Sequence, residues 1–252
     1  MVEPIVSVKK LKKSYDGKPA VDGISFEVQP GEVFGILGPN GAGKTTTLEM
    51  METLREIDSG TITIDGIDVA KNPLAIKRII GVQPQTAAFN DKQTLSEIIT
   101  MFAAAYGEKV RPQELLEEVE LGDKASSYAE QLSGGQRQRL SIAAALVHSP
   151  KVFFMDEPTT GLDPQARRNL WDLTRMVQSK GVTVILTTHY MDEAELLCDR
   201  VAIMDRGQII SLDTPKNLIR ALLSKGFKKE QRVEQANLED VFIDLTGKAL
   251  RE

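Results

Sequence analysis

Val33-Phe34-Gly35-Ile36-Leu37, then Gly38-Pro39-Asn40-Gly41-Ala42-Gly43-Lys44-Thr45-Thr46, then Thr47-Leu48-Glu49-Met50 is the stretch on which the reading of this chain turns. It fits G-x-x-x-x-G-K-[ST] in the context that pattern requires, an apolar strand before it and a helix after it. The glycines let the backbone curl until successive N–H groups point into one concavity that receives phosphate oxygens. A helix starting near Lys44 adds its unpaired N–H groups and its positive dipole end. Lys44 then supplies a point charge to β and γ phosphates, and Thr45 a hydroxyl for Mg²⁺. The plainer reading is a glycine-rich turn that binds nothing, and both flanks argue against it.

The bulk composition narrows the classes around that loop. A chain of 252 residues buries enough apolar surface to fold unaided as one large domain or a core with a subdomain. With 31 basic and 36 acidic residues and a net charge of −5, no overall field draws it to nucleic acid or to an anionic membrane. The single cysteine, Cys198, excludes an internal disulfide and a cysteine-built metal site, fits a reducing compartment, and reads as packing. The longest charge-free runs, such as Leu140 to Pro150, reach about half of the ~20 apolar residues of a membrane span, so the chain is not expected to cross a bilayer. Glu3 and Pro4 stand where a secretory signal would carry basic and then apolar residues, so none is expected.

Upstream of the loop, Ile5 to Lys13 alternates apolar and polar residues as a half-exposed strand does. Tyr15 and an Asp16-Gly17 turn follow, then a strand Ile24–Val28 that ends at Pro30-Gly31. Downstream, Thr61 to Ile64 before Asp65-Gly66 predicts a hairpin, and Ile79 to Val82 a short strand closed by Gln83-Pro84-Gln85. From about Thr86 to Pro150 strand-like runs give way to helical spacing. Leu95, Ile98, Ile99, Phe102 and Tyr106 share one face, Leu115, Leu116 and Val119 another, and a third helix runs from Gln136 to Val147 with Ser133 as its cap.

Val152 to Asp156 resumes as a strand covered on both faces, with Asp156 and Glu157 at its C-terminal end. Pro164 to Gln178 predicts a helix with proline in its first turn, and Val182 to Leu186 a buried strand ending at Thr187-Thr188-His189. Val201 to Met204 and Gln208 to Ile210 form a last pair around Arg206-Gly207. Residues 224–236 read as a charged linker and Leu238 to Leu245 as a short amphipathic helix. Buried strands alternating with helices predict a mainly parallel α/β sheet that binds ligands beyond the carboxyl ends of its strands. The phosphate loop, the acid pair and His189 all fall there. The other histidine, His148, reads as a helix-end cap or surface residue.

Five elements need one explanation: the phosphate loop, Gln85, Leu132-Ser133-Gly134-Gly135-Gln136, Asp156-Glu157 and His189. Together they resemble the ATP-binding-cassette ATPases, and the likeness covers nearly the whole chain. Residues 132–136 match that family's signature letter for letter, within a helical insertion between the two nucleotide motifs. The resemblance implies an α/β fold: a P-loop NTPase core with a mainly parallel sheet, an N-terminal antiparallel β subdomain and an inserted α-helical subdomain. Residues 1–85 and 151–222 would form the ATP-binding core with the β subdomain, 86–150 the helical signature subdomain, and 223–252 a short C-terminal extension.

The resemblance also assigns roles. Gly38, Asn40, Gly41, Ala42, Gly43, Lys44, Thr45 and Thr46 would hold ATP. Tyr15 would stack on adenine, although a tyrosine after a strand also packs in many folds. Mg²⁺ would be held by Thr45, by Gln85 and by Asp156 through water, with Glu157 as the general base and His189 as the switch histidine reaching the γ phosphate. Gln83 is the alternative to Gln85, and the family spacing favours Gln85. Ser133, Gly134, Gly135 and Gln136 would close over the ATP of a second copy, and Asp163 would lie in the loop crossing between copies.

Such a chain is the ATPase subunit of a membrane transporter: two copies, or a copy and a homologous subunit, close around two ATP molecules and drive a separate integral membrane permease, with no nucleic-acid partner. It would be cytoplasmic, peripheral on the inner face of the cell membrane. Leu238 to Gly247, with Thr53-Leu54, Ser59-Gly60-Thr61 and Asp65-Gly66, resembles the drug-resistance type of exporter ATPase. The rivals are a soluble cassette ATPase of translation or DNA repair, which would carry two cassettes, a coiled coil or a zinc insertion, and a P-loop kinase, which has no use for residues 132–136.

Overall fold

Ahead of the phosphate loop Val33–Leu37 is strand β3, and the loop runs into helix α1 (Lys44–Met51). The computed structural model describes residues 3–84 and 88–227, so Gln85 and the tail at 238–247 lie outside the described residues. The chain divides into two units, 1–218 and 219–252. The described residues of the second complete helix α8 (Pro215–Ser224) and run on to Phe227.

The main sheet adds β6 (Ile80–Gln83), β7 (Val152–Asp156), β8 (Thr183–Thr188), β9 (Arg200–Asp205) and β10 (Gln208–Asp213), in the order β10-β9-β3-β8-β7-β6. All neighbours in it are parallel except the β9–β10 hairpin. The middle residues of its central strands are apolar because both faces are covered: Phe34, Phe153, Phe154, Val184 and Ile185 are fully buried.

A second, antiparallel sheet takes β1 (Val6–Tyr15), β2 (Lys18–Val28), β4 (Ser59–Ile64) and β5 (Ile67–Asp68), in the order β2-β1-β4-β5. Three of the chain's hairpins turn on a pair of positive-φ residues, Asp16-Gly17, Asp65-Gly66 and Arg206-Gly207, the twist that suits a two-residue connection. The first of these lets β2 begin at Lys18, earlier than its apolar run at Ile24 suggests. In β1 the alternation is broken at Lys10, which takes φ 48 and bonds through its N–H to Ser25 Oγ at 2.8 Å. The pairing slips between Val8 and Leu11, a bulge that returns Leu11 to the buried face.

One core joins this sheet to α1 and the main sheet, with Phe26 stacked on Phe34 at 5.2 Å beside Met50, Met51 and Phe154. The opposite core lies under α3 (Leu95–Tyr106), α4 (Pro112–Glu118), α5 (Gly134–Leu146), α6 (Pro164–Ser179) and α7 (Met191–Leu197). Short helix α2 (Pro73–Lys77) precedes β6. Cys198 is buried with Sγ against Gly35, where a Cβ would stand 2.5 Å from the sulfur. Burial, then the charges of Glu193 and Asp199, push its thiol up.

Two expectations change. Tyr106 does not join the buried stripe of α3: Leu95, Ile98 and Ile99 do, while Tyr106 is 41% exposed at the helix end. Its ring lies flat on His148, centroids 3.8 Å apart. His148 is therefore neither a cap nor a free surface group. Its Nε2 bonds the Ile80 carbonyl at 2.8 Å, and burial lowers its basicity, so it braces α3 against β6.

Candidate functional site

Strand β8 lies between β3 and β7, and this order assembles the site. Leu37 pairs with Thr188 and Asp156 with Thr187, so the phosphate loop, the segment before His189 and the acid pair emerge side by side at one edge. The Gly38 N–H bonds the Thr188 carbonyl at 3.2 Å. A Cβ on Gly38 would stand 2.1 Å from the Met204 carbonyl oxygen, and one on Gly43 (φ 102) 2.3 Å from that of Ala20, so the loop's path admits only glycine at both.

The loop frames a cavity of about 460 Å³ lined by Tyr15, Ala20, Asn40, Gly41, Gly43, Lys44, Thr45, Thr46 and Glu157. Ala42 is turned away, buried, with its N–H on the Pro39 carbonyl at 3.2 Å. Tyr15 stands at the end of β1, 39% exposed, with Lys13 Nζ 5.7 Å and the Arg55 guanidinium 5.6 Å from its ring centre.

Lys44 is 4% exposed and its Nζ makes three contacts: Gly38 O at 2.9 Å, Pro39 O at 3.1 Å and Glu157 Oε1 at 3.1 Å. The other Glu157 oxygen meets His189 Nδ1 at 3.1 Å and accepts from Thr160 Oγ1 at 3.3 Å. Glu157 is held in a left-handed backbone conformation, φ 45, of a kind that costs a non-glycine residue roughly 1–3 kcal/mol. Its N–H, bonded to Thr187 O at 3.2 Å and Thr187 Oγ1 at 3.0 Å, fixes it there. Burial pushes the Glu157 carboxyl up, but the Lys44 ammonium, with help from His189 and Thr160, outweighs it and holds the group below the ordinary range.

Asp156 Oδ1 accepts from Thr45 Oγ1 at 3.3 Å and closely from the Thr187 hydroxyl. Among the described residues no cluster of three or more His, Cys, Asp or Glu is arranged as a metal site.

The segment at 132–136 lies in a different cavity. Ser133 caps α5, its Oγ accepting from the Gln136 N–H at 3.3 Å, while Gln136 Oε1 accepts from the Ser133 N–H at 3.0 Å. Asp163 caps α6 through the Ala166 N–H at 2.8 Å. Ser133, Gly135, Gln136 and Asp163 line a cavity of about 360 Å³ together with Glu120 and Arg139. This cavity shares no lining residue with the phosphate-loop cavity. Gln83, the other glutamine of its segment, is 1% exposed and bonds Gln138 of α5.

Some neighbours escaped the motif reading. Thr187 and Thr160 orient the acid pair, and their only signal is a hydroxyl residue beside a motif. Glu52, at the end of α1, lines an apolar cleft of about 410 Å³ with Leu54, Val82, Phe89, Phe102 and Tyr106. Burial, then repulsion from Asp156 and Glu49, pushes its carboxyl up to about 8.

The comparisons with known proteins agree with this geometry. Residues 21–160 match the ABC transporter family. The chain is 41% identical over 223 residues to the linearmycin resistance ATP-binding protein of Bacillus subtilis, covering 86% of this chain and 72% of that protein. It is 43% identical over 224 residues to the Nod factor export ATP-binding protein I of Paraburkholderia xenovorans, covering 87% and 74%. Among solved structures, the ATP-binding subunit of an ABC transporter superposes with a TM-score of 0.78 at 30% identity, over 96% of this chain and 99% of that one. The chain belongs to the ABC transporter family, as one of its ATP-hydrolysing nucleotide-binding subunits.

Proposed function

We propose that this chain drives export through a separate integral membrane permease by closing and opening a two-copy assembly around ATP and Mg²⁺. The observation that carries the two-copy reading is the separation of the signature cavity from the phosphate-loop cavity. Ser133, Gly135 and Gln136 line a cavity with no residue in common with the one that holds Lys44, an arrangement that supports their meeting across two chains. The names of the two relatives, one a resistance and one an export ATP-binding protein, support export. Among the described residues no helix is long and apolar enough to cross a membrane, which fits a peripheral subunit held at the inner membrane face by its permease.

In this reading Gly41, Gly43, Lys44, Thr45 and Thr46 cradle the triphosphate, Gly38 and Ala42 shape the loop, Asn40 closes its rim, and Tyr15 stacks on adenine. The Thr45 hydroxyl and the Asp156 carboxylate, 3.3 Å apart, fit a hard cation, and Gln85 would be its further ligand. Bound there, Mg²⁺ supplies charge neutralisation for the transferring phosphoryl group.

Lys44 gives up Glu157 when phosphate oxygens take its Nζ. Glu157, released, would take a proton on its Oε1 from the water whose oxygen bonds the γ phosphorus as the bond from that phosphorus to the β–γ bridging oxygen breaks and ADP leaves, while His189 keeps its Nδ1 on Oε2 and offers Nε2 to the γ phosphate. Asp163 and the signature residues of the second copy complete the site. The helical segment 86–150 would move against the core of 1–85 and 151–222 and pass the motion to the permease, with 223–252 a short C-terminal extension.

Affinity purification of the tagged full chain from solubilised membranes tests the transporter reading. Recovery of a polytopic membrane protein in stoichiometric amount is the expected result. Recovery from the soluble fraction with ribosomes or DNA-repair proteins would favour the soluble cassette ATPase.

A further inference from the structure

Behind His189 lies a buried carboxyl group that the reaction as described does not use. Glu193, in the first turn of α7, is 0% exposed. Its Oε1 accepts from Trp171 Nε1 of α6 at 3.3 Å, and the hydroxyls of Thr188 and Thr159 and the charge of Arg167 face the same carboxyl. Yet its Oε2 has no hydrogen-bond partner among the described residues, and neither do Thr159 Oγ1 and Arg167 Nε. Thr159 stands beside the carboxyl without closing a bond of good geometry. Arg167 is engaged elsewhere, its guanidinium 4.4 Å above the Tyr190 ring and 3.5 Å from Asp192.

Buried polar atoms without partners cost free energy, and folded proteins rarely keep several together without a use for them. The groups around the carboxyl come from separate elements, two of which border the site. Thr159 lies in the loop between Glu157 and Asp163, Thr188 directly precedes His189, and its Oγ1 already holds the Tyr190 N–H at 3.0 Å. One carboxyl thus touches the loop that carries the proposed base and the strand end that carries the switch histidine. A small shift of the 157–163 loop would close the missing bond.

We infer that Glu193 is a positioning residue of the ATPase site, a buried hydrogen-bonding hub that fastens the Thr159 loop to the Thr188–His189 strand end and links both to α6 through Trp171. It rests on the roles proposed above for Glu157 and His189. When Lys44 releases Glu157, the loop is free to settle onto Glu193 Oε2, and Trp171 shares the same carboxyl. Burial of the carboxyl outweighs its partners and raises its proton affinity, so a neutral side chain of the same shape suits the hub.

Trp171 is the sole tryptophan of the chain, so the hub has a built-in reporter. The test is Trp171 emission of the full-length chain, titrated with Mg²⁺ and a non-hydrolysable ATP analogue, beside steady-state ATPase kinetics. The wild type is expected to show a saturable change whose midpoint matches analogue binding by equilibrium dialysis. Thr159→Val leaves the indole bond intact and is expected to lose most of that change and about tenfold in kcat, with KM within about twofold. Glu193→Ala should lose both, and Glu193→Gln should restore both to within about threefold of wild type.

Wild-type emission and kcat in a folded Thr159→Val would overturn the inference, as would an indole silent to analogue that dialysis shows to be bound. Should Glu193→Ala not fold, Thr159→Val and Glu193→Gln decide. Full turnover in Glu157→Gln would sink the assignment of the base instead, which keeps the two failures apart.

Discussion

The Glu157 carboxylate stands 3.1 Å from the Lys44 ammonium, so the acid that would prepare the water is bonded to the cation that would grip the phosphate. The pair is poorly exposed, with side-chain accessibilities of 4% for Lys44 and 11% for Glu157, so solvent screens it little. Each partner satisfies the other until a triphosphate competes for Lys44. In the proposed mechanism the base would then be released only when a phosphate has arrived.

Lys44→Ala is expected to weaken ATP binding by at least about tenfold, because a buried charge-assisted contact to phosphate is lost. Isothermal titration with ATP and Mg²⁺ checks this. Unchanged affinity would separate the loop from nucleotide binding.

The same pair should be visible in the pH dependence of stability. The Glu157 carboxyl, buried but overcompensated by Lys44, is held below its ordinary value of 4.5. A depressed carboxyl contributes stability that is present above the unfolded value and lost as pH falls through the folded one. The thermal midpoint of the wild type should therefore exceed that of Lys44→Ala by a constant margin above about pH 5.5, and the margin should shrink below 4.5. A margin independent of pH would mean that the pair contributes nothing to the apo protein.

Glu52 has the opposite sign. Its carboxyl is raised from 4.5 to about 8 by burial and then by Asp156 and Glu49, so the stability of its neutral form is complete below 4.5 and is lost as pH rises through 8. Glu52→Gln keeps the neutral form at every pH. Its melting temperature should match the wild type at pH 4 and exceed it by on the order of ten degrees at pH 8, because a carboxyl displaced from 4.5 to about 8 loses about 4 kcal/mol over that span. Equal midpoints at pH 8 would show that Glu52 is solvated in solution.

Legibility in the sequence followed the range of the interactions. The phosphate loop, the acid pair and residues 132–136 are local patterns whose chemistry is carried by neighbours in the chain, and Ser133 could be read as a cap for the same reason. The parallel sheet was legible from the apolar runs of β3, β7 and β8. Contacts set by strand order were not. Nothing local places Glu157 against Lys44, or Thr187 against Asp156, until β8 inserts between β3 and β7. Helices α2 and α7 are too short to show a period, and the stacking of Tyr106 on His148 depends on how α3 meets the end of α5. Glu193 reads as one more acid in an acidic helix start, and only its burial sets it apart.

Ser133→Arg puts a long cation where the signature segment would meet the phosphates of a second copy. ATP binding to the monomer should stay within about threefold of wild type while turnover falls by at least about a hundredfold. Normal turnover would mean that the 132–136 segment takes no part in hydrolysis.

The claim that each chain carries two half-sites is tested most directly by the oligomeric state of Glu157→Gln, measured by sedimentation velocity with and without ATP and Mg²⁺. Glutamine cannot take the proton from water but preserves shape, so closure should outlast the missing hydrolysis. The expected result is a monomer without nucleotide and a dimer holding two ATP molecules with it, abolished when Ser133→Arg is added to the same chain. A chain that binds ATP and stays monomeric, or a dimer indifferent to Ser133→Arg, would contradict the shared site.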